Sequence, residues 1–367
     1  MKIPSSAAQL LLVLHTHPAF NRRDIDYFVE VLGPDPLTWA AQLRSCKRIN
    51  PPQKHLLQPL LVEDASQLLT VYPSLQQLLE QLHDKGVGLL CPSDEDYPQS
   101  LRRLRDIPSL LFFRGDATLL SLPQIAMVGS RQASLPGQRA SREFAYQFAR
   151  GGFVVTSGLA RGIDAAAHRG CMDGGGKTIA VLACGLDDVY PKRHRGLATD
   201  ILASGGTILS EYPLGIPALP HQFPIRNRLI TGLSQALLVV EAARHSGSVV
   251  SAKWAAEQGI DVFALPGSIY SPQSEGCLDL LKQGAMLATA PSDVVAGVQF
   301  ELFEPSASPP LLSTQAKTVL ALLGSDPVGV DSIAQQTQWP VARVMACLAE
   351  CEVAGAAQMV ANRYIRR

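Results

Sequence analysis

From Gln124 onward the chain alternates short apolar runs with helical stretches, and this alternation constrains the fold more than any other feature. Apolar β-type runs fall at 125–128, 153–156, 178–183, 207–209, 237–240 and 262–264. Between them, 138–150, 163–172, 195–203, 226–232 and 249–258 carry helical spacing. Strands that are apolar almost throughout must be covered on both faces, and strands alternating with helices achieve this as a parallel sheet with helices on each side. The expected fold is an α/β, Rossmann-like doubly wound parallel sheet. Its ligands belong at the carboxyl ends of the strands.

The flanks read differently. Helical spacing broken by Pro and Gly runs through 4–15, 24–32, 36–43 and 51–61, and a turn-rich segment at 91–97 leads to 101–104 and a strand candidate at 110–113. A stretch rich in Pro and Ser, 304–310, reads as a linker. Beyond it, three helices at 314–323, 332–336 and 341–351 and two short strands around Asn362 describe a winged helix. The domains expected are thus a helical 1–82, a Rossmann-like 83–303 and a winged helix 311–367. The third helix offers Arg343 beside Glu350 and Glu352, where groove-reading helices present several basic or amide side chains, so protein contact and DNA contact both stand open.

Composition removes whole classes of function. With 47% hydrophobic and 17% charged residues, wholesale disorder is excluded. No apolar run reaches membrane-spanning length, and the stretch 10–14 is too short for a signal peptide. Seven cysteines with no CxxC spacing, and no His or second Cys pair beside Cys347 and Cys351, lead to the expectation of packed thiols in a reduced, cytoplasmic protein without a metal site. Lys plus Arg (32) equals Asp plus Glu (32), so a polyanion site must be local. Residues 129–228 hold 12 basic against 7 acidic side chains, whereas 229–310 hold 3 against 8.

The basic excess sits in loops that follow strands. Gly129-Ser130-Arg131 ends the first run; its backbone N–H groups, the helix opening behind it and the Arg131 fork suit a phosphate. The next run ends in Ser157 and Gly158 with no acid to hold a ribose, so neither NAD nor FAD is expected, and no other cofactor. Asp164 and His168, four apart on the following helix, suggest either a catalytic pair or a local hydrogen bond. Lys192, Arg193, His194 and Arg195 crowd the third loop. Phe223, Arg226, Asn227 and Arg228 mark a fourth, and Ser246 and Gly247 open the helix after a fifth. Gly174-Gly175-Gly176-Lys177-Thr178 imitates a P-loop, but its Lys precedes a strand and Cys171 stands where the pattern needs Gly, so it reads as a turn. Several anion loops on one edge suit successive phosphates of an extended polyanion.

At these residues the chain resembles the bacterial DNA-processing protein DprA (Smf) family. The matching segments include Val128-Gly129-Ser130-Arg131, the run from Ser157 to Asp164, Ser210-Glu211-Tyr212-Pro213, the Arg226-Asn227-Arg228 cluster and Leu265-Pro266-Gly267. The match is dense from about Leu89 to Thr289, while the flanks agree in layout, a small SAM-like helical domain and a terminal winged helix. The resemblance implies a non-enzymatic protein of natural transformation and recombination that binds and protects single-stranded DNA, forms a homodimer and loads the RecA recombinase. It places strand binding on Arg131, Lys192, Arg226, Asn227 and Arg228, and a dimer surface on the stretch holding Leu278, Leu280 and Leu281. Some relatives carry an aromatic three residues after the Lys, where this chain has Arg195. The alternative is an enzyme like the phosphoribohydrolases on a related α/β core, but their Gly-rich phosphate loop is replaced here by Ala242-Ala243-Arg244-His245-Ser246-Gly247-Ser248, with Glu241 before it.

Overall fold

The computed structural model describes residues 4–61, 67–298, 313–323, 328–353, 357–360 and 363–366. The chain divides into two units, 1–299 and 300–367. The first opens with helices α1 (Ser6–Thr16), α2 (Arg22–Leu32), α3 (Trp39–Ser45), α4 (Pro51–Leu57), α5 (Leu68–Val71) and α6 (Pro73–Asp84). Strand β1 (Gly88–Leu90), helix α7 (Gln99–Arg102) and strand β2 (Leu111–Gly115) lead into the alternating region. There β3 (Gln124–Val128), α8 (Leu135–Arg150), β4 (Val154–Ser157), α9 (Ile163–Asp173), β5 (Thr178–Val181), α10 (Arg195–Ala203) and β6 (Thr207–Ser210) follow one another. Helix α11 (Gln222–Gly232), β7 (Ala236–Val239), α12 (Gly247–Glu257), β8 (Asp261–Ala264), α13 (Glu275–Lys282), β9 (Met286–Leu287) and α14 (Pro291–Gly297) complete the unit.

These strands form one sheet in the order β1-β2-β6-β5-β4-β3-β7-β8-β9. From β6 to β9 every pairing is parallel; β2 joins β6, and β1 joins β2, antiparallel. The sequence order reverses between β3 and β7, so the connections leave those two strands toward opposite faces. Side chains of β3 alternate accordingly. Ile125 and Met127 join Phe144 and Phe148 of α8, while Ala126 and Val128 join Leu229 and Ile230 of α11. Burial of both faces is why the strands read as continuous apolar runs.

The helical start does not form a core of its own, as a division at residue 82 had implied. Leu14, Phe28, Trp39 and Leu75 share one apolar cluster with Phe112 of β2, Ala180 of β5 and Ile201 of α10. A buried polar seam runs along the same junction. Glu211, just past β6, pairs with Arg22 of α2 at 2.9 Å and with Arg228 of α11. Asp26 accepts from the Ser109 amide at 3.1 Å and from the Ser109 hydroxyl, which leaves that oxygen to accept from Nε2 of His15 at 2.9 Å. Burial, reinforced by the Arg22 charge, pushes the His15 pKa down to about 3 and keeps the ring neutral.

The second unit holds α15 (Thr314–Ala321), α16 (Val330–Thr337), α17 (Val341–Val353) and an antiparallel pair, β10 (Ala357–Val360) and β11 (Arg363–Arg366). Its core gathers Val319, Ile333, Val344, Leu348 and Tyr364. Three helices and a hairpin make the expected winged helix. The linker 304–310 and Asn362 lie outside the described residues. Among the described residues no helix is long and apolar enough to cross a membrane, and no cluster of His, Cys, Asp or Glu could hold a metal.

Candidate functional site

The loop after β3 is shaped by glycine. A Cβ on Gly129 would stand 2.5 Å from Ile163, and one on Gly162 would stand 2.2 Å from the Ser130 carbonyl oxygen. Gly162 also has φ +75°, a left-handed value that side chains resist. The Ile163 amide donates to that same Ser130 oxygen at 3.2 Å, so the loops after β3 and β4 are stitched together. Glu241, at the end of β7, closes the other side. Its Oε2 accepts from the Ser134 amide at 2.9 Å, its Oε1 from the Ser134 hydroxyl, and its carbonyl from the Ser130 amide at 2.7 Å. Ser134 in turn caps α8 by accepting from the Gly137 amide at 3.0 Å.

The loop after β4 is held from beneath. Asp164 is buried and accepts from the Gly158 and Ala160 amides at 3.1 and 3.3 Å. Burial pushes its pKa up, against the pull of the Arg226 charge and those two amides. Arg226 is 4% exposed and donates through Nη1 to the carbonyls of Gly158, at 2.8 Å, and Val181. Burial lowers its pKa to about 10, which leaves it charged at neutral pH. Leu159 adopts φ +56°, unusual for a branched side chain, and its carbonyl accepts from Nδ1 of buried His194 at 2.8 Å. Asp164 and His168 are not paired with each other. His168 donates from Nδ1 to Thr178 Oγ1 at 2.7 Å, because the Thr178 proton goes to the Val155 carbonyl at 2.6 Å. Burial drives the His168 pKa down to about 3, so this ring braces the core rather than serving as a surface base.

Above this floor a cavity of about 450 Å³ opens at the carboxyl ends of the strands. Arg131 from the β3 loop, Arg161 from the β4 loop, and Lys192 and Arg193 from the β5 loop line it, with Arg226 below. Tyr190 and Phe223 supply its aromatic wall, their ring centroids 5.4 Å apart. The Arg131 guanidinium lies 5.1 Å from the Phe223 centroid. Five cations, two aromatic rings and no carboxylate or carboxamide side chain form the lining. This surface repels metal ions and attracts phosphates, and its rings can take a flat apolar body.

Of the residues singled out in sequence, the structure brings Gly158, Arg131, Lys192, Arg193, Phe223 and Arg226 together here. Others are corrected. Arg228 faces away, 3% exposed and paired to Glu211, and lines a separate groove with Trp254 and Asp261. The Ser157 hydroxyl is spent on the Met127 carbonyl at 2.6 Å. Arg195 pairs with Asp188 at 3.1 Å outside the cavity. The Ser130 amide belongs to Glu241, and the Gly129 position serves packing against Ile163. Asn227 links Arg226 Nε, at 3.1 Å, to the Gly247 carbonyl, at 3.3 Å, so Ser246 and Gly247 flank the site without lining it. Leu280 is buried in the core and Leu281 packs against it, so neither offers a free dimer face; Leu278 is half-buried. Lys177 donates to the Ser204 carbonyl, a turn contact with no phosphate role. Arg161 and Tyr190 were the site residues missed, although each lay inside a loop already marked by its glycines or its charge run.

In the winged helix, Arg343 donates to Gln315 at 3.0 Å and stacks 4.6 Å from the Trp339 centroid. Val341 and Met345, one turn apart on the same helix, stand exposed instead.

Comparison with known proteins places these features. Residues 88–299 match the family model of DNA recombination-mediator protein A, and residues 303–361 match the DprA winged helix domain. Protein Smf of Escherichia coli (strain K12) is 43% identical over 302 residues, covering 80% of this chain and 81% of that protein. An X-ray structure of DNA processing protein A from Streptococcus pneumoniae superposes with a TM-score of 0.60 at 34% identity, covering 77% of this chain and 99% of that one. DNA processing protein A from Helicobacter pylori, a structure described for its single-stranded DNA binding mode, gives 0.52 at 30% identity, covering 56% and 93%.

Proposed function

The chain belongs to the DNA recombination-mediator protein A family, and from that premise we propose that it binds single-stranded DNA in the cavity at the strand carboxyl ends. The observation that carries this reading is the lining itself, cationic and aromatic with no acidic side chain. Phosphates are neutralised by Arg131, Arg161, Lys192 and Arg193, all exposed, while bases can meet Tyr190 and Phe223. The Helicobacter pylori relative, described for its single-stranded DNA binding, supports the same substrate.

The wider role follows the family. The protein works without catalysis in the cytoplasm, protects single strands during natural transformation and loads a RecA recombinase onto them. No group at the site is poised for hydrolysis: both Glu241 oxygens accept from Ser134, which argues against the phosphoribohydrolase alternative. A homodimer has support in an exposed apolar set, Ile269 and Tyr270 after β8 and Met286 and Leu287 on the edge strand β9.

Fluorescence anisotropy of labelled single- and double-stranded oligonucleotides across a salt series tests the strand reading. Four exposed cations give an expected log–log salt slope of roughly −3 for single strands, with duplex binding weaker. Salt-independent binding, or none, would overturn it.

A further inference from the structure

The cavity sets an aromatic wall beside its cations, and the chemistry of that lining can select among bases. Tyr190 is 46% exposed, and its ring lies at 56° to Phe223, close enough to be braced by it. Phe223 is half-buried and already covered by the Arg131 guanidinium. The free stacking face is therefore that of Tyr190, with Phe223 setting its angle. The volume of about 450 Å³ falls within the ~300–1,000 Å³ usual for small-molecule pockets, enough for one purine and its sugar.

Donors dominate around that ring. Arg161 and Arg193 are exposed cavity residues with planar, two-pronged guanidinium groups, and the lining holds no Asp, Glu, Asn or Gln. A guanidinium fork needs two adjacent acceptors. Guanine offers them at O6 and N7, whereas the same edge of adenine pairs an acceptor with the N6 amino donor, which calls for Asn or Gln. Thymine has its N–H between two carbonyls and so no adjacent acceptor pair.

We propose that this cavity is a nucleobase subsite that stacks one base on Tyr190 and prefers guanine over adenine through the forks of Arg161 and Arg193. The proposal rests on the single-strand reading above and adds base selectivity to it.

Short oligo-dT strands carrying one central guanine, adenine, 7-deazaguanine or abasic residue test it by competition against the full chain. Guanine should compete roughly 3- to 10-fold better than adenine, and 7-deazaguanine, which stacks alike but lacks N7, should lose that advantage. The abasic strand should bind about 5-fold or more weakly than the guanine strand, reflecting lost stacking. Tyr190→Ala should flatten all four strands to the abasic level, while Tyr190→Phe keeps the order. Arg161→Gln/Arg193→Gln should weaken every strand and remove or reverse the guanine preference, since Gln suits adenine. Equal binding of all four strands by the wild type would overturn the subsite yet leave phosphate-driven strand binding intact. No binding of any strand would instead overturn the single-strand reading itself.

Discussion

Replacing Glu211 with alanine is expected to lower the stability of the first unit by about 3–5 kcal/mol, the usual cost of breaking one side of a buried ion pair. Glu211 is 2% exposed and lies between Arg22, at 2.9 Å, and Arg228, itself 3% exposed. Its removal leaves Arg228 without its ion-pair partner and Arg22 with only Asp26, at 3.5 Å, at the seam between α2, β6 and α11. The damage comes from the stranded charges rather than from the missing attraction. Replacing Arg22, Glu211 and Arg228 together by Leu, Met and Met should therefore recover most of the loss, as packed apolar groups often do. Urea unfolding of the single and triple variants checks this; a single variant within about 1 kcal/mol of wild type would show that the seam is solvated.

The second large effect concerns Gly162. An alanine there places its Cβ 2.2 Å from the Ser130 carbonyl oxygen at φ +75°. A backbone of φ +75° and ψ −119° is sparsely populated by anything but glycine and alone costs about 1–3 kcal/mol for a side chain, and relieving the clash must part the β3 loop from the β4 loop. Arg131 and Arg161 then lose their common register, and single-strand affinity is expected to fall at least about 10-fold, equivalent to 1.4 kcal/mol. Gly175 is the control for positive φ without a clash. It has φ +76° but open space where a Cβ would go, so Gly175→Ala should carry the backbone strain and leave binding unchanged. Thermal melts and anisotropy on both variants separate strain from geometry; equal binding losses in the two would contradict the stitched-loop account.

The sheet was legible because each parallel strand buries both faces and so appears as an unbroken apolar run. Strands β1 and β9 escaped notice: Gly88–Leu90 and Met286–Leu287 are too short to show a period. The packing of the helical start against the sheet was hidden for a related reason. Helical spacing reveals that α1 to α6 have apolar faces, but not that those faces close against β2 and β5.

The site was legible as a set of loops rather than as a set of side chains. Arg226 and Arg228 look equivalent in sequence, yet two residues turn an α-helix through about 200°, and α11 sends one under the cavity and the other to Glu211. Ser157 belongs to a promising motif, but as a strand residue it points into the core and donates to Met127. Tyr190 and Phe223 become a wall once the β5 loop folds beside α11, a contact between positions 33 residues apart that no local pattern encodes. Arg195, in the same charge run, binds Asp188 instead, while Tyr190 stands exposed at the cavity wall.

The salt dependence of single-strand binding in Arg131→Ala/Lys192→Ala against wild type tests the central claim most directly. Both side chains are exposed and line the cavity, so their loss should leave the fold unchanged by thermal melting. Each phosphate contact contributes about 0.7 to the log–log slope for single strands. The account predicts a slope shallower by about 1.4, together with a marked loss of affinity at low salt. An unchanged slope and affinity in a folded double variant would contradict it, and would place the strand on some other surface of the protein.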